Sequence, residues 1–153
     1  MHAQSAQARD GATAPHTWIG AGLGGGSLGV TKEISAWLIG DRVAVGARWS
    51  QTIRDWSGTG DEHELTALVG IAVPVWRITA IPTVGVARAA GCYTLDEFQS
   101  CNSLGVEVAP AWGLEADVPV TRVLGIHVAG LGVHGRRTHY VGATAGLSVG
   151  RFP

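Results

Sequence analysis

Residues Arg42–Thr52 read RVAVGARWSQT, and this stretch decides the fold. Valine, alanine and tryptophan side chains alternate with arginine, glycine and serine side chains along it. Such alternation is typical of a β-strand whose two faces meet different surroundings. One face would be wholly apolar, whereas the other would carry small and charged residues.

The same alternation recurs on both sides of this stretch. We predict seven further strands: Thr17–Gly24, Lys32–Ile39, Glu64–Val73, Arg77–Arg88, Ser103–Ala116, Arg122–His134 and His139–Phe152. The connections alternate between longer and shorter, as in an up-and-down antiparallel sheet. Gly40-Asp41 predicts a hairpin turn, and Pro82 predicts an irregularity because proline cannot donate to the ladder. A shift in apolar parity near Ala129-Gly130 predicts a β-bulge.

The composition indicates which solvent surrounds this sheet. Glycine accounts for 23 of 153 residues, lysine occurs once, and the formal net charge of −1 gives no reason to expect nucleic acid as a partner. No apolar run reaches the roughly 18 residues that a membrane helix needs. If the chain crosses a bilayer, it must do so as a closed barrel, because only helices and barrels satisfy every backbone group in lipid.

The mixed face is too small and too rich in glycine for a water-exposed surface. We therefore predict that it lines the lumen of an eight-stranded transmembrane β-barrel, with the apolar face toward lipid. Charged residues inside should pair, since isolated buried charges are costly. The predicted lumen charges are Arg42, Arg48, Glu64, Glu107 and Glu115.

Strand direction sorts the aromatic residues into two levels, as expected for interfacial girdles. Five fall near the lower rim, where the barrel would begin and end: Trp18, Trp37, Trp76, Trp112 and Phe152. Three fall near the upper rim: Trp49, Trp56 and Tyr140.

Residues Thr17–Phe152 resemble the small eight-stranded outer-membrane β-barrels of the OmpA/OmpX-like kind. The resemblance rests on the opening segment Trp18-Ile19-Gly20-Ala21-Gly22-Leu23-Gly24, on the alternation, and on a last strand that ends at Phe152. It implies that Phe152 is the signal recognised by the barrel-assembly machinery and that outer-membrane lipids surround the chain. Phe152 shares the parity of Gly150 rather than that of the apolar face.

Residues 1–16 are polar and small, and we expect a flexible segment outside the barrel. The stretch His2–Ala8 resembles the surroundings of a signal-peptidase site, so a remnant of a signal sequence and an ordinary flexible terminus both remain open.

Cys92 and Cys101 bracket the third long loop, and we predict a disulfide between them, as suits an oxidising envelope compartment. Two thiols without a clustered partner pair do not make a zinc site.

Histidine with a serine and an acid could indicate a lipid hydrolase. The candidates are His63, His127, His134 and His139 with Ser103 or Ser148, but no recognisable motif joins them. A metal site at His134 and His139 has no acidic neighbours in support. We expect the acidic run of Asp61, Glu62 and Glu64 to be a solvated loop.

We therefore predict a non-catalytic outer-membrane barrel with a filled lumen, no cofactor, and a structural, adhesive or loop-binding role. Two alternatives stay open: a soluble lipocalin-like barrel that binds an apolar ligand inside, and a lipid-modifying membrane enzyme.

Overall fold

The computed structural model describes residues 15–53, 60–93, 102–136 and 138–152. Nine strands follow one another in these ranges: β1 (His16–Gly26), β2 (Gly29–Ile39), β3 (Val43–Ile53), β4 (Gly60–Ile71), β5 (Val73–Val75), β6 (Ile78–Tyr93), β7 (Asn102–Pro119), β8 (Leu124–His134) and β9 (His139–Arg151). No helix long and apolar enough to cross a bilayer occurs within them.

The sheet closes on itself. Apart from β4 and β5, which both pair with β6, each strand pairs antiparallel with its neighbour in sequence. β1 also pairs with β9 from Thr17–Arg151 to Gly26–Gly142. Because β5 continues β4 against the same partner, the barrel has eight strands, as predicted. In the described part of the chain the first and last strands are paired, so the barrel wall has no edge strand, as a barrel in lipid requires. Residues 102–110 of β7 extend past β8 and pair only with β6.

The ladder between β4 and β6 is interrupted where the sequence predicted an irregularity. Pairing stops at Gly70–Thr83 and resumes at Val73–Ala80, so the gap lies beside Pro82. The bulge predicted near Ala129-Gly130 was wrong, since β8 keeps an unbroken register with both neighbours. Leu131 and Val133 keep the inward parity and are buried. A register shift occurs instead at Gly91/Cys92.

One end of the barrel carries both termini of the sheet and the turns after β2, β5 and β7; we call it the terminal end. The other is the loop end. The hairpin turn predicted at Gly40-Asp41 is confirmed, with the Gly40 amide donating to the Val43 carbonyl. The connection between the first two strands is shorter than the predicted bounds Thr17–Gly24 and Lys32–Ile39 imply, because β1 runs to Gly26 and β2 begins at Gly29.

Most large apolar residues of the barrel face outward. Among the described residues, twenty-eight large hydrophobic residues are exposed, including Ile19, Val45, Val69, Val108 and Leu147, whereas seventeen polar or charged residues are buried. A soluble barrel would have the reverse arrangement, so the lipocalin-like alternative does not fit the described residues. The pattern suits a barrel that faces hydrocarbon with its outer surface.

Candidate functional site: the charged lumen

The buried side chains inside the barrel lie at three levels, according to their positions along the strands. Apolar side chains occupy the terminal end: Trp18, Trp37, Ile39, Leu68, Ile81 and Phe152. An ionic cluster lies next, and hydroxyl and carboxyl groups follow toward the loop end. Interior packing of this kind is expected for eight strands, because the interior of such a barrel is just wide enough for side chains to fill.

At the terminal end, the Trp18 ring stacks on the Phe152 ring with 5.8 Å between centroids. Trp37 lies over Gly46, where a Cβ atom would come within 2.4 Å of the indole. A side chain at Gly46 would therefore displace Trp37 from the interior. The glycine on one strand makes room for the aromatic ring on the next.

His127 is at the centre of the ionic cluster and is fully buried. Its Nε2 atom lies 2.9 Å from Glu33 Oε1 and 3.3 Å from Glu115 Oε2, and its Nδ1 atom lies 3.3 Å from Asp117 Oδ2. Strands β2, β7 and β8 supply these four residues. Gly20 on β1 provides space, because a Cβ atom there would be 3.1 Å from the imidazole.

Arg48 completes the cluster from β3. Its Nη1 atom donates to Glu115 Oε1 at 3.2 Å, and both side chains are wholly buried. Glu115 thus holds the guanidinium with one oxygen and faces the imidazole with the other. Three carboxylates, one guanidinium and one imidazole are packed together away from solvent.

A hydroxyl layer lies toward the loop end. The hydroxyls of Thr31 and Thr52 are hydrogen-bonded at 2.9 Å, and Thr31 also bonds the Tyr140 hydroxyl. Ser50 donates to Glu64 at 3.1 Å. Neither Glu62 nor Glu64 lies in the solvated loop that we expected, because both side chains point inward from β4 and are buried.

The predicted lumen charges take different positions. Arg48, Glu64 and Glu115 are buried inside the barrel. Arg42 is exposed in the turn before β3, so its assignment to the lumen was wrong. Glu107 is half-buried near the loop end, where its carboxylate accepts hydrogen bonds from the Arg136 and Thr138 amides at 2.6 and 3.1 Å.

The predicted girdles also require correction. Trp18, Trp37, Tyr140 and Phe152 are inside the barrel rather than on its rim. Adjacent side chains of a strand point to opposite faces, so Trp18 faces inward because its neighbour Ile19 faces outward. Trp76 and Trp112 are exposed outside, at 89% and 49%, and Trp49 is half-exposed.

Outside the barrel near the loop end, Trp49 stacks on His63 with 6.3 Å between centroids, and Lys32 lies 6.0 Å from the indole centroid. These outward-facing contacts join β2, β3 and β4. Trp56 lies outside the described residues.

Among the described side chains, no histidine is hydrogen-bonded to a serine, and the side chain of Ser103 lies outside them. The imidazole of His127 faces carboxylates on both sides, whereas the Ser148 hydroxyl has no hydrogen-bond partner among the described residues. His134 and His139 are cross-strand partners on the exposed face, with their Nδ1 atoms 3.2 Å apart. Cys101 and the side chain of Cys92 lie outside the described residues, so the disulfide stays a prediction.

Comparison with solved structures agrees with this geometry. The neisserial surface protein A (NspA) superposes with a TM-score of 0.64 at 11% identity, over 90% of this chain and 96% of that one. The N-terminal β-barrel domain of Pseudomonas aeruginosa OprF gives 0.64 at 14% identity, over 88% and 96%. Ail, the attachment invasion locus protein of Yersinia pestis, gives 0.63 at 13%, over 90% and 97%.

The fold is that of the small eight-stranded outer-membrane β-barrels. The superpositions establish the fold. Because the sequence identities are low, they leave the role of this chain open. No protein-family model matches the sequence, and no curated protein matches it. The ionic cluster around His127 therefore has to be interpreted from its own chemistry.

Proposed function

We propose that the protein is a non-catalytic outer-membrane barrel that presents its loop end to the outside of the cell. The observation that carries this proposal is the reversed polarity, with large hydrophobic residues outside and charged residues buried. Outer-membrane lipids would contact the apolar band. Both termini of the barrel would be periplasmic, on the side of the short turns.

The buried side chains inside the barrel support a role other than solute transport. Trp18, Trp37 and Phe152 occupy its terminal end, and the Arg48–Glu115 pair spans the interior further up. An open eight-stranded barrel is already narrow. We therefore propose a scaffold that binds through its loops, in a structural or adhesive role; the structurally similar Ail is named for attachment and invasion.

Membrane insertion is tested by expressing the chain with a signal sequence and separating the membranes. We expect recovery in the outer membrane and a change of gel mobility on boiling. Recovery in a soluble fraction, with no mobility change, would overturn the proposal. Planar-bilayer recording should show no steady conductance above that of protein-free bilayers.

Orientation is tested with single cysteines in a chain whose Cys92 and Cys101 are replaced by serine. Ser27→Cys at the loop end should react with a membrane-impermeant maleimide on intact cells, whereas Asp41→Cys at the terminal end should react only after lysis. The opposite pattern would reverse the proposed orientation.

The barrel-assembly machinery is the partner proposed for insertion, with Phe152 as its recognition residue. In the folded barrel this side chain is buried against Trp18. Recognition would therefore have to precede closure of the barrel.

A further inference from the structure

We propose that Glu33, Glu115 and His127 form an internal binding site for a divalent transition-metal ion, with Zn²⁺ as the test case. One ligand atom from each residue lies within 4.8 Å of the others, and all three side chains are buried. This site is independent of the loop-binding role proposed above.

The spacing fits coordination. An ion held about 2.0–2.2 Å from each ligand atom at tetrahedral angles separates those atoms by about 3.3–3.6 Å. The separations from His127 Nε2 are 2.9 Å to Glu33 Oε1 and 3.3 Å to Glu115 Oε2. Shifts of a few tenths of an ångström around the imidazole would open these two separations to that spacing.

The second nitrogen of the imidazole is already oriented. Asp117 Oδ2 lies 3.3 Å from His127 Nδ1, where it would accept the Nδ1 proton and leave Nε2 unprotonated for the metal. A carboxylate in this position is the usual support of a metal-bound histidine. It fixes the ring orientation and makes Nε2 more basic.

Unpartnered oxygen atoms at the same place also point to a ligand. Glu33 Oε2, Ser35 Oγ and Asp117 Oδ1 are buried and have no hydrogen-bond partner among the described residues. Ser35 and His127 both lie 3.1 Å from the position of a Cβ atom on Gly20, so the hydroxyl and the ring border the same space. Buried polar atoms are rarely left without a partner.

With all three carboxyls ionised, a divalent ion would balance the charges of the cluster. Glu33, Glu115 and Asp117 contribute three negative charges against the one positive charge of Arg48. A protonated His127 would leave one negative charge buried, whereas a divalent ion on neutral His127 would leave none. Imidazole with carboxylates favours a first-row transition ion such as Zn²⁺ over Mg²⁺ or Ca²⁺, which prefer oxygen ligands alone.

The exposed pair His134 and His139 could chelate the same ion, so the test uses a parent in which both are alanine. This parent is refolded into detergent with Zn²⁺, desalted, and assayed for bound metal. We expect about one zinc per barrel in the parent. Retention should fall at least about tenfold in Glu33→Gln and His127→Gln, as for loss of a ligand or its support.

Glu64→Gln is the matched control, because Glu64 is a buried lumen carboxylate that contacts Ser50 instead of the cluster. It should retain zinc. A parent without bound zinc, or equal loss in Glu64→Gln, would overturn the proposal and leave a proton on His127 as the charge that holds the cluster.

Where a ligand variant does not fold, X-ray absorption of the zinc-loaded parent gives an independent answer. We expect nitrogen and oxygen neighbours at about 2.0–2.1 Å, with the outer-shell scattering of one imidazole. A spectrum without imidazole scattering would contradict the site.

Discussion

The Trp18 ring near the start of β1 stacks on the Phe152 ring just after β9, with centroids 5.8 Å apart and an interplanar angle of 24°. Trp18 lies on β1 and Phe152 directly follows β9, and these two strands close the barrel. Their contact lies inside the terminal end, beside Trp37 and Ile39. It therefore joins the first and last strands by side-chain packing as well as by backbone pairing.

Trp18→Ala should lower the free energy of unfolding by about 3–5 kcal/mol, the usual cost of removing a large buried aromatic side chain. Urea titration of the barrel in detergent, followed by tryptophan fluorescence and gel mobility, measures this. Trp112→Ala is the control, because that indole faces outward and is half-exposed. Equal losses from the two variants would contradict the inward position of Trp18.

Gly146→Ala should impair closure between β1 and β9. A Cβ atom on Gly146 would lie 1.8 Å from the Ala21 carbonyl oxygen and 2.6 Å from Gly22 Cα, so the strands would have to separate. We expect a smaller heat-modifiable fraction after refolding.

Gly130→Ala is the matched control for the seam, since the nearest atom of the described residues to its Cβ position is 3.9 Å away. It should refold as the unaltered chain does. Normal refolding of Gly146→Ala would show that the seam has more space than described.

Arg48→Met should destabilise the barrel by about 3–5 kcal/mol, because it leaves a buried carboxylate at Glu115 without its cation. The double variant Arg48→Met/Glu115→Gln should recover much of this loss. A double-mutant cycle of unfolding free energies measures the coupling.

Arg42→Met should change stability little, since Arg42 is exposed in a turn. Comparable losses from Arg42→Met and Arg48→Met would contradict the difference in burial on which the prediction rests.

Leu147→Arg should cost about 2–4 kcal/mol in a bilayer, because this exposed leucine lies well within β9 and faces the hydrocarbon. Val141→Arg, on the same face near the loop end, should cost only about 0–1 kcal/mol. Unfolding in lipid vesicles measures both. A water-facing outer surface would tolerate either change, and that result would oppose the membrane barrel.

The predicted Cys92–Cys101 bridge should stabilise the chain by about 2–3 kcal/mol by closing a short loop. Thiol labelling of the unreduced, denatured protein should find no free thiol, and reduction should release two. Labelling of both cysteines before reduction would show that the bridge is absent.

The sequence was sufficient for the architecture because alternation is a local property. The alternation is visible within each strand without reference to the others, and it predicts the outward positions of Val45 and Leu147. The alternation also predicts that Trp18 faces inward, because Trp18 lies one residue before the outward-facing Ile19. Its apolar character and its level near the terminus favour the girdle instead, and these two properties do not distinguish the inside of the barrel from its rim.

The ionic cluster could not be predicted in the same way. Glu33, Glu115 and His127 lie on β2, β7 and β8, and their meeting depends on the tilt of the strands and the width of the lumen. Inward parity alone makes each a candidate lumen residue. It does not determine at which height each side chain meets the others.

Pairing of Thr17 with Arg151 joins positions separated by almost the entire chain. Loop closure over such a distance costs entropy before any contact compensates it, so folding should be slow and the last step should be the joining of this seam. The same seam must open before the native barrel unravels. The lifetime of the folded barrel in the cell should therefore depend more on a high kinetic barrier to unfolding than on the equilibrium between folded and unfolded chains.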